Sequence, residues 1–280
     1  MAGLEGEGTR MTPPKPFSMG EGVEFPNGWT PDSREIIFTS NRDGKWGIYR
    51  QSLNGGPAQP VLVEDTILRE FGFARPSSDG RWLLIERASP RGTQAISSDL
   101  FRVPMTGGAQ ELIASGTDGT PHCAAAQKHV CAYAKEENNE LIFTSFDPEL
   151  KQRQLGRFAY GDPKGVYEWA LAPNANQIAI YQRNTGNIYL LNLKTQALEH
   201  IPVKRWKFVS MDWAADGKGL FLSALQPDCV LLHVDLHGKA QVLWEPRGEN
   251  MIWALPSPDG RYVAMPHSLG SVNVWMMENF

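Results

Sequence analysis

Short apolar runs recur along the chain, each after a polar turn, and none has the spacing of an amphipathic helix. The first run is Ile36-Ile37-Phe38, and the turn before it is Pro31-Asp32-Ser33. Proline presets its own φ at a turn, and an aspartate side chain accepts hydrogen bonds from the backbone two residues later. The aromatic and β-branched run Trp46-Gly47-Ile48-Tyr49-Arg50 predicts the next strand. Residues 28–50 are therefore predicted to form strand, turn, strand, polar loop and strand.

This pattern repeats, and a polar residue marks each turn. The six markers are Asp32, Asp79, Gln127, Asn174, Asp216 and Asp259, at spacings of 47, 48, 47, 42 and 43 residues. A repeat of roughly 40–50 residues with several short strands is typical of a propeller blade. One strand precedes each turn, and two apolar runs and an outer strand follow it. We therefore expect a single-domain, all-β, six-bladed β-propeller with four-stranded antiparallel blades and almost no helix.

The blade boundaries follow from the repeat. The predicted blades cover about residues 23–64, 69–114, 119–158, 166–203, 207–245 and 250–280, within a domain of residues 9–280. Residues 1–8 are rich in glycine and glutamate and are predicted to be disordered. The last blade ends at its third strand, Val272 to Met277, which would leave an exposed sheet edge. Residues 9–13 are therefore predicted to supply its fourth strand; the alternative is that this segment is loose.

Composition and charge narrow the class of protein. Of the 280 residues, 41% are hydrophobic and 21% are charged, which is ordinary for a soluble chain with one large core. The net charge of −4 provides no general positive field for nucleic acid. No apolar run reaches the roughly 18 residues of a membrane span, and residues 1–17 contain no apolar core of a secretory signal. We expect no nucleic-acid partner and no membrane insertion.

One cluster of residues has metal-ligand chemistry: His122, Cys123, His129 and Cys131. A hairpin that turns at Gln127 would place the two cysteines opposite each other, where they suit zinc or a disulfide. The spacing matches no standard zinc pattern, and His122 and Cys123 face opposite sides of an alternating strand. Cysteine often serves as a small buried hydrophobic residue, and the sequence favours this interpretation. No metal is predicted.

The sequence contains no evident catalytic group. The glycine-rich stretch Gly3 to Gly8 is not followed by the strand lysine or the catalytic aspartate loop of a kinase. The Gly-x-Ser-x-Gly elbow of serine hydrolases is also missing. Asp43-Gly44 and Asp99 could approach a channel metal, but turn roles are far commoner at such positions. We predict no catalytic residue and no cofactor.

The starts of the innermost strands are predicted to surround the mouth of the central channel. Aromatic residues lie among charged ones there, which suits recognition of a peptide or glycan. The candidate ligand-binding residues are Glu24, Asn27, Arg69, Glu70, His122, Tyr167, Glu168, Asp212 and Trp253. For the tryptophans Trp169, Trp213 and Trp253, packing between blades as core is the favoured alternative.

The turn chemistry is clearest in Trp29-Thr30-Pro31-Asp32-Ser33, Ser40-Asn41-Arg42-Asp43-Gly44, Ile48-Tyr49 and Pro256-Ser257-Pro258-Asp259-Gly260-Arg261. These motifs resemble the PD-type, WD-like repeat of TolB-like propellers, and the resemblance covers nearly the whole chain. More narrowly, residues 141–148 and 273–280 resemble the C-terminal propellers attached to bacterial serine/threonine kinases or to winged-helix regulators. The propeller is regarded as a sensor or docking module in those proteins, and the resemblance implies the same role for this chain.

The resemblance, together with the missing catalytic group, implies a non-catalytic binding, sensor or protein-interaction module that acts through its channel mouth. A protein or peptide is the expected partner, and a monomer is expected because a closed propeller needs no oligomer to protect its edges. The alternatives are a hydrolase or lyase with a channel active site, and the gating propeller of a peptidase whose catalytic domain is elsewhere. The expected compartment is the periplasm for an exported module of a membrane-anchored kinase or regulator, and otherwise the cytoplasm.

Overall fold

A computed structural model of the chain describes residues 1–6, 10–17, 23–63, 74–88, 98–125, 128–159, 166–183, 186–203, 206–226, 229–245 and 253–266. Within these ranges the chain is almost entirely strand and turn, with a 3-10 turn at Arg42–Gly44 and no α-helix. The near absence of helix that the sequence predicts is thus confirmed for this part of the chain. It contains no helix with the length and apolar character needed to cross a bilayer.

The described residues contain twenty-three strands, which are numbered in chain order. The first six are β1 (Ala2–Glu5), β2 (Arg10–Met11), β3 (Glu24–Trp29), β4 (Glu35–Ser40), β5 (Gly47–Ser52) and β6 (Gln59–Val63). The next seven are β7 (Ala74–Pro76), β8 (Trp82–Ala88), β9 (Ser98–Pro104), β10 (Glu111–Cys123), β11 (Cys131–Glu137), β12 (Glu140–Phe146) and β13 (Gln152–Ala159). The last ten are β14 (Tyr167–Leu171), β15 (Gln177–Gln182), β16 (Asn187–Asn192), β17 (Leu198–Ile201), β18 (Lys207–Trp213), β19 (Gly219–Gln226), β20 (Val230–Asp235), β21 (Ala240–Trp244), β22 (Leu255–Pro256) and β23 (Tyr262–Ala264).

These strands form antiparallel sheets. Three sheets have four consecutive strands each: β3 to β6, β14 to β17 and β18 to β21. A fourth has the order β22-β23-β1-β2, which joins the two ends of the described chain. The fifth has seven strands, β7 to β13 in order, because β10 is 13 residues long. The first part of β10 pairs with β9, and its last part pairs with β11.

The first strands of the repeats lie innermost and touch one another in a cycle. β3 contacts β7, β7 contacts β10, β10 contacts β14, β14 contacts β18, β18 contacts β22, and β22 contacts β3. The apolar core lies between neighbouring sheets: one cluster joins Ile37 and Ile48 to Leu83 and Ile85 of the next sheet. The strands that carry these four residues are therefore buried on both faces, which explains why their apolar runs are continuous.

The predicted turn chemistry is present at the repeat markers. In the second turn, the Ser77 hydroxyl donates to Asp79 Oδ1 (2.6 Å), and the Arg81 N–H donates to the same oxygen (3.1 Å). The same bond from the residue two positions later occurs at Asp32, Asn174, Asp216 and Asp259, with lengths of 3.1, 2.9, 2.9 and 3.0 Å. The sixth marker, Gln127, lies outside the described residues. The turn interpretation is confirmed at the other five markers.

Two tryptophans connect neighbouring sheets through their indole N–H groups. Trp29 donates to the carbonyl of Leu255 (2.9 Å), and Trp213 donates to the carbonyl of Ala170 (2.9 Å). Trp169 and Trp213 are only 4% and 3% exposed. The interpretation of Trp169 and Trp213 as core residues between sheets is therefore confirmed.

The N-terminal segment corrects one expectation. Ala2–Glu5 was expected to be disordered, yet it forms β1 and pairs with β23, where Ala2 is buried against Val263. Thr12 fastens it further, because its N–H donates to the Gly3 carbonyl and its hydroxyl accepts from the Gly3 N–H. Arg10–Met11 is the fourth strand of this sheet, and β1 holds the third place. The stretch expected there, Val272 to Met277, lies outside the described residues.

Candidate functional site

A cavity of about 140 Å³ lies where the six innermost strands end. Each of these strands contributes to its lining: Gly28 and Trp29 of β3, Arg75 and Pro76 of β7, His122 and Cys123 of β10, Leu171 of β14, Asp212 and Trp213 of β18, and Pro256 of β22. The turns that follow the innermost strands complete the wall with Pro31, Pro173 and Pro258. The cavity therefore opens toward the turn side, and its walls are mostly proline and small side chains.

An ion pair spans this cavity. Arg75 Nη1 lies 3.4 Å from Asp212 Oδ2, and the two side chains are 21% and 19% exposed. The other oxygen, Asp212 Oδ1, accepts the N–H of Trp213 (2.9 Å). Burial raises the pKa of Asp212, although the Arg75 guanidinium and the Trp213 N–H partly oppose this shift. Both oxygens of Asp212 are thus occupied by donors.

A histidine, His122, also lines the cavity, and it is only 8% exposed. Its ring packs edge-on against Trp169, with 4.9 Å between the ring centroids. Burial lowers the pKa of His122 well below its usual range, and the nearby Arg75 guanidinium adds to this shift. The imidazole is therefore neutral at neutral pH, with one N–H donor and one acceptor nitrogen.

Two side chains of the cavity have N–H groups for which the described residues provide no acceptor. A guanidinium has several N–H groups, and within the described residues that of Arg75 bonds only to Asp212. The imidazole of His122 makes no hydrogen bond within the same ranges. The remaining donors face a space that a ligand or solvent can enter, so the site is suited to a group that accepts hydrogen bonds.

The structure brings two of the predicted site residues, His122 and Asp212, to this cavity. Five others lie in separate local contacts. Glu24 is paired with Arg42, and Glu168 with Arg183; Asn27 donates to Thr39, Tyr167 accepts from Gln182, and Trp253 donates to the carbonyl of Pro26. Arg69 and Glu70 lie outside the described residues.

Arg75 is the residue that the sequence reasoning missed. The sequence reasoning named residues at the start of the second innermost strand, near residues 69–71, which lie outside the described residues, whereas Arg75 lies in the described part of that strand, β7 (Ala74–Pro76). A signal was available in the repeat itself, because Arg75 stands four positions before the marker Asp79, as Asp212 stands four before Asp216. The equivalent positions in the first and fourth repeats, Gly28 and Ala170, carry no charge. The two residues of the ion pair therefore differ from the residues at the same position in those repeats.

A disulfide lies beside His122. Cys123 and Cys131 are directly paired across β10 and β11 and are joined by a disulfide bond. The hairpin geometry predicted for the two cysteines is confirmed, whereas their interpretation as simple buried hydrophobic residues is corrected. Across the described ranges, no group of three or more His, Cys, Asp or Glu residues is placed to hold a metal ion.

Comparison with known proteins gives matches in structure only. No protein-family model and no curated protein sequence matches the chain. Putative TolB from Agrobacterium tumefaciens is similar over 88% of this chain and 91% of its own, with 18% identity and a TM-score of 0.65. TolB from Acinetobacter baumannii is similar over 89% of this chain and 64% of its own, with 14% identity and a TM-score of 0.56. An oligogalacturonate lyase in complex with manganese is similar over 86% of this chain and 69% of its own, with 13% identity and a TM-score of 0.56.

The chain has a TolB-like β-propeller fold. The resemblance seen in the turn motifs is therefore confirmed at the level of the fold. Propellers similar to this one include both TolB proteins and an enzyme, so the fold leaves the function of this propeller open. The narrower resemblance to kinase-attached and regulator-attached propellers stays a prediction.

Proposed function

We propose that this propeller is a non-catalytic binding module whose central cavity takes a segment of a partner protein or peptide. The observation that carries the proposal is a pair of unused donors: Arg75 and His122 present N–H groups that no described residue accepts, inside walls that are mostly proline and small side chains. Apolar walls around a few fixed polar groups are typical of ligand sites.

The chemistry of the cavity favours a neutral acceptor. A carboxylate on the ligand would gain Arg75 but would stand beside the charged Asp212, and a cation would face Arg75. An amide carbonyl meets the guanidinium and the imidazole N–H without adding charge. We therefore expect the inserted group to be a peptide carbonyl or the side chain of asparagine or glutamine.

The size of the cavity supports a peptide partner. A space of about 140 Å³ is smaller than the usual site for a free small molecule. It has room for one inserted side chain, while the remainder of the partner rests on the surrounding turns. Such a site fits a sensor or docking role, and a closed propeller can fill this role as a monomer.

We also propose that the ring has six blades. The seven-stranded sheet then counts as two blades, β7 to β10 and β10 to β13, which share the long strand β10. The cycle of six innermost strands supports this count. A crystal structure with any other number of innermost strands would contradict it.

The binding function can be tested with a peptide-display library panned on the immobilised full chain. Peptides that also bind the double variant R75A/H122A are discarded, after circular dichroism has verified that the variant is folded. We expect the remaining peptides to lose at least about tenfold in affinity with R75A and with H122A, measured by calorimetry. R157A is the matched control, because Arg157 lies on an outer strand and is 57% exposed. The proposal would be refuted if every peptide selected on the wild type also bound the double variant, so that none remained after this step.

One observation favours an enzyme as the second candidate. His122 and Asp212 both have shifted pKa values and line one cavity, and such groups often mark catalytic sites. The similar lyase gives this candidate a first substrate to try, oligogalacturonate with manganese. Turnover followed by absorbance of an unsaturated product, and lost in H122A, would favour the enzyme over the binding module.

A further inference from the structure

The Cys123–Cys131 disulfide belongs to the wall of the cavity. Cys123 follows His122 directly, is half-buried and itself lines the cavity. Cys131 is 3% exposed and packs in a cluster with Leu84 and Phe146. The bond joins the last residue of β10 to the first residue of β11, and so closes the connection between them.

The connection between β10 and β11 also contributes residues to the cavity wall. Ala124 and Ala125 both line the cavity. The Ala124 N–H donates to the carbonyl of Val130 (2.9 Å), inside the closed loop. The Ala125 N–H donates to the carbonyl of Pro173 (2.9 Å), which belongs to the next turn around the cavity. The disulfide, His122 and two neighbouring turns are thus connected through a few covalent and hydrogen bonds.

We infer that the Cys123–Cys131 disulfide is a reversible modification site, through which reduction loosens the cavity wall and weakens ligand binding. The part of this inference that concerns ligand binding rests on the proposed binding function. In the oxidised protein the bond ties Cys123, and with it Ala124 and Ala125 of the wall, to Cys131. After reduction, the hydrogen bonds of Ala124 and Ala125 must hold this part of the wall without that restraint.

The chemistry requires a dithiol reductant, such as dithiothreitol or a redox protein with two thiols. Its thiolate attacks the Cys123 sulfur, because Cys123 is the less buried residue of the two. The S–S bond breaks, a mixed disulfide forms at Cys123, and Cys131 leaves and takes a proton. The second thiol of the reductant then displaces Cys123, which also takes a proton, while the reductant becomes a disulfide. Two electrons and two protons pass to the cysteine pair.

The first test follows backbone hydrogen exchange by NMR in the native full chain, before and after dithiothreitol. We expect the Ala124 and Ala125 amides to exchange at least about tenfold faster in the reduced protein. The amides of β15 and β16 should not change. A disulfide that only stabilises the fold would instead leave this local pattern unchanged under native conditions.

Cysteine variants provide the controls. C123S/C131S should exchange like the reduced wild type, with or without dithiothreitol. C229S should respond like the wild type, because Cys229 is not in a disulfide. Equal Ala125 exchange in oxidised and reduced protein, or three titratable thiols before any reductant is added, would overturn the inference.

The second test uses a peptide selected in the panning experiment as the probe. Its affinity should fall at least about tenfold on reduction of the wild type and of C229S. In C123S/C131S the affinity should be low and independent of dithiothreitol. If panning selects no peptide, the binding function fails, whereas the exchange measurement still decides whether the disulfide controls the wall. An affinity that is the same in both redox states would overturn the inference even if binding is real.

Discussion

Arg75 and Asp212 are 137 residues apart in the sequence, yet their side chains form an ion pair across the central cavity, with Nη1 3.4 Å from Oδ2. Their strands, β7 and β18, are not neighbours in the cycle of innermost strands. The pair therefore connects two opposite parts of the ring. In a half-desolvated site, the loss of one partner leaves the other charge poorly compensated.

A double-mutant cycle tests this pair. R75M and D212N should each lower the free energy of unfolding by about 1–3 kcal/mol, since each leaves a largely buried group without its partner. The double variant should cost less than the sum of the two, by on the order of 1 kcal/mol. Urea denaturation at neutral pH measures all four proteins.

The matched control is a second ion pair, Arg157 with Glu140, whose side chains are 57% and 27% exposed. R157M and E140Q should show almost no coupling, because exposed pairs contribute little to stability. Purely additive costs at Arg75 and Asp212 would mean that the two charges do not interact in solution.

Two buried tryptophans provide a comparison of one hydrogen bond. The indole N–H of Trp213 donates to the Ala170 carbonyl (2.9 Å), whereas that of Trp169 is buried without a partner in the described residues. W213F and W169F remove similar volumes from similar cores, but only W213F breaks a hydrogen bond. We expect W213F to be more destabilising than W169F by about 1–2 kcal/mol. Denaturant unfolding measures the difference, and equal costs would remove the role assigned to the Trp213 bond.

A buried acid predicts the pH dependence of stability. Glu86 is 9% exposed, and its Oε1 has no hydrogen-bond partner within the described ranges. Burial, helped by the charge of Asp118, raises the pKa of Glu86 to about 8 from its ordinary value of 4.5. Because the native state holds this proton more tightly than the unfolded chain, the stabilisation is complete below the unfolded value and is lost as the pH rises toward 8.

E86Q keeps the shape of the protonated acid without the titration. Its stability should match that of the wild type near pH 4 and exceed it at pH 8.5 by on the order of 2 kcal/mol or more. Urea unfolding across this pH range is the measurement. E199Q, at an exposed glutamate of an outer strand, is the control and should follow the wild type. A wild-type and an E86Q profile that run in parallel would contradict the assigned pKa.

Much of the architecture could be predicted because the turn residues act locally. The carboxylate of Asp79 bonds within its own turn, so the repeat is visible without any knowledge of tertiary contacts. The pairing of Cys123 with Cys131 could likewise be predicted from the centre of one hairpin. By contrast, Ala2–Glu5 has little intrinsic strand character, and its conformation depends on the edge of β23. In this pairing Gly3 lies opposite Tyr262, which is 259 residues away in the sequence.

The candidate site could be predicted only in part. The position of each residue in the repeat indicated which residues lie near the axis, and two of the predicted residues, His122 and Asp212, do line the cavity. It did not indicate which end of each strand the cavity occupies, since this depends on how the six strands tilt and meet. Arg75 escaped notice because the residues named were those at the start of each innermost strand, whereas Arg75 lies near the end of its strand, directly before Pro76.

The N-terminal strand should hold the ring closed. Ala2 is 3% exposed and packs with Val263 and Phe221, so a charge at this position would be buried without a partner. We expect A2D to lower the melting temperature by about 4–8 °C, the shift that roughly 2 kcal/mol produces in a chain of this size. Removal of residues 1–14 should lower it by a similar amount, because the edge of β23 loses its partner. E5Q is the control, since Glu5 is exposed at the end of the same strand, and it should melt at the wild-type temperature. Calorimetry that places A2D and the truncated chain at the wild-type temperature would mean that the ring closes without β1.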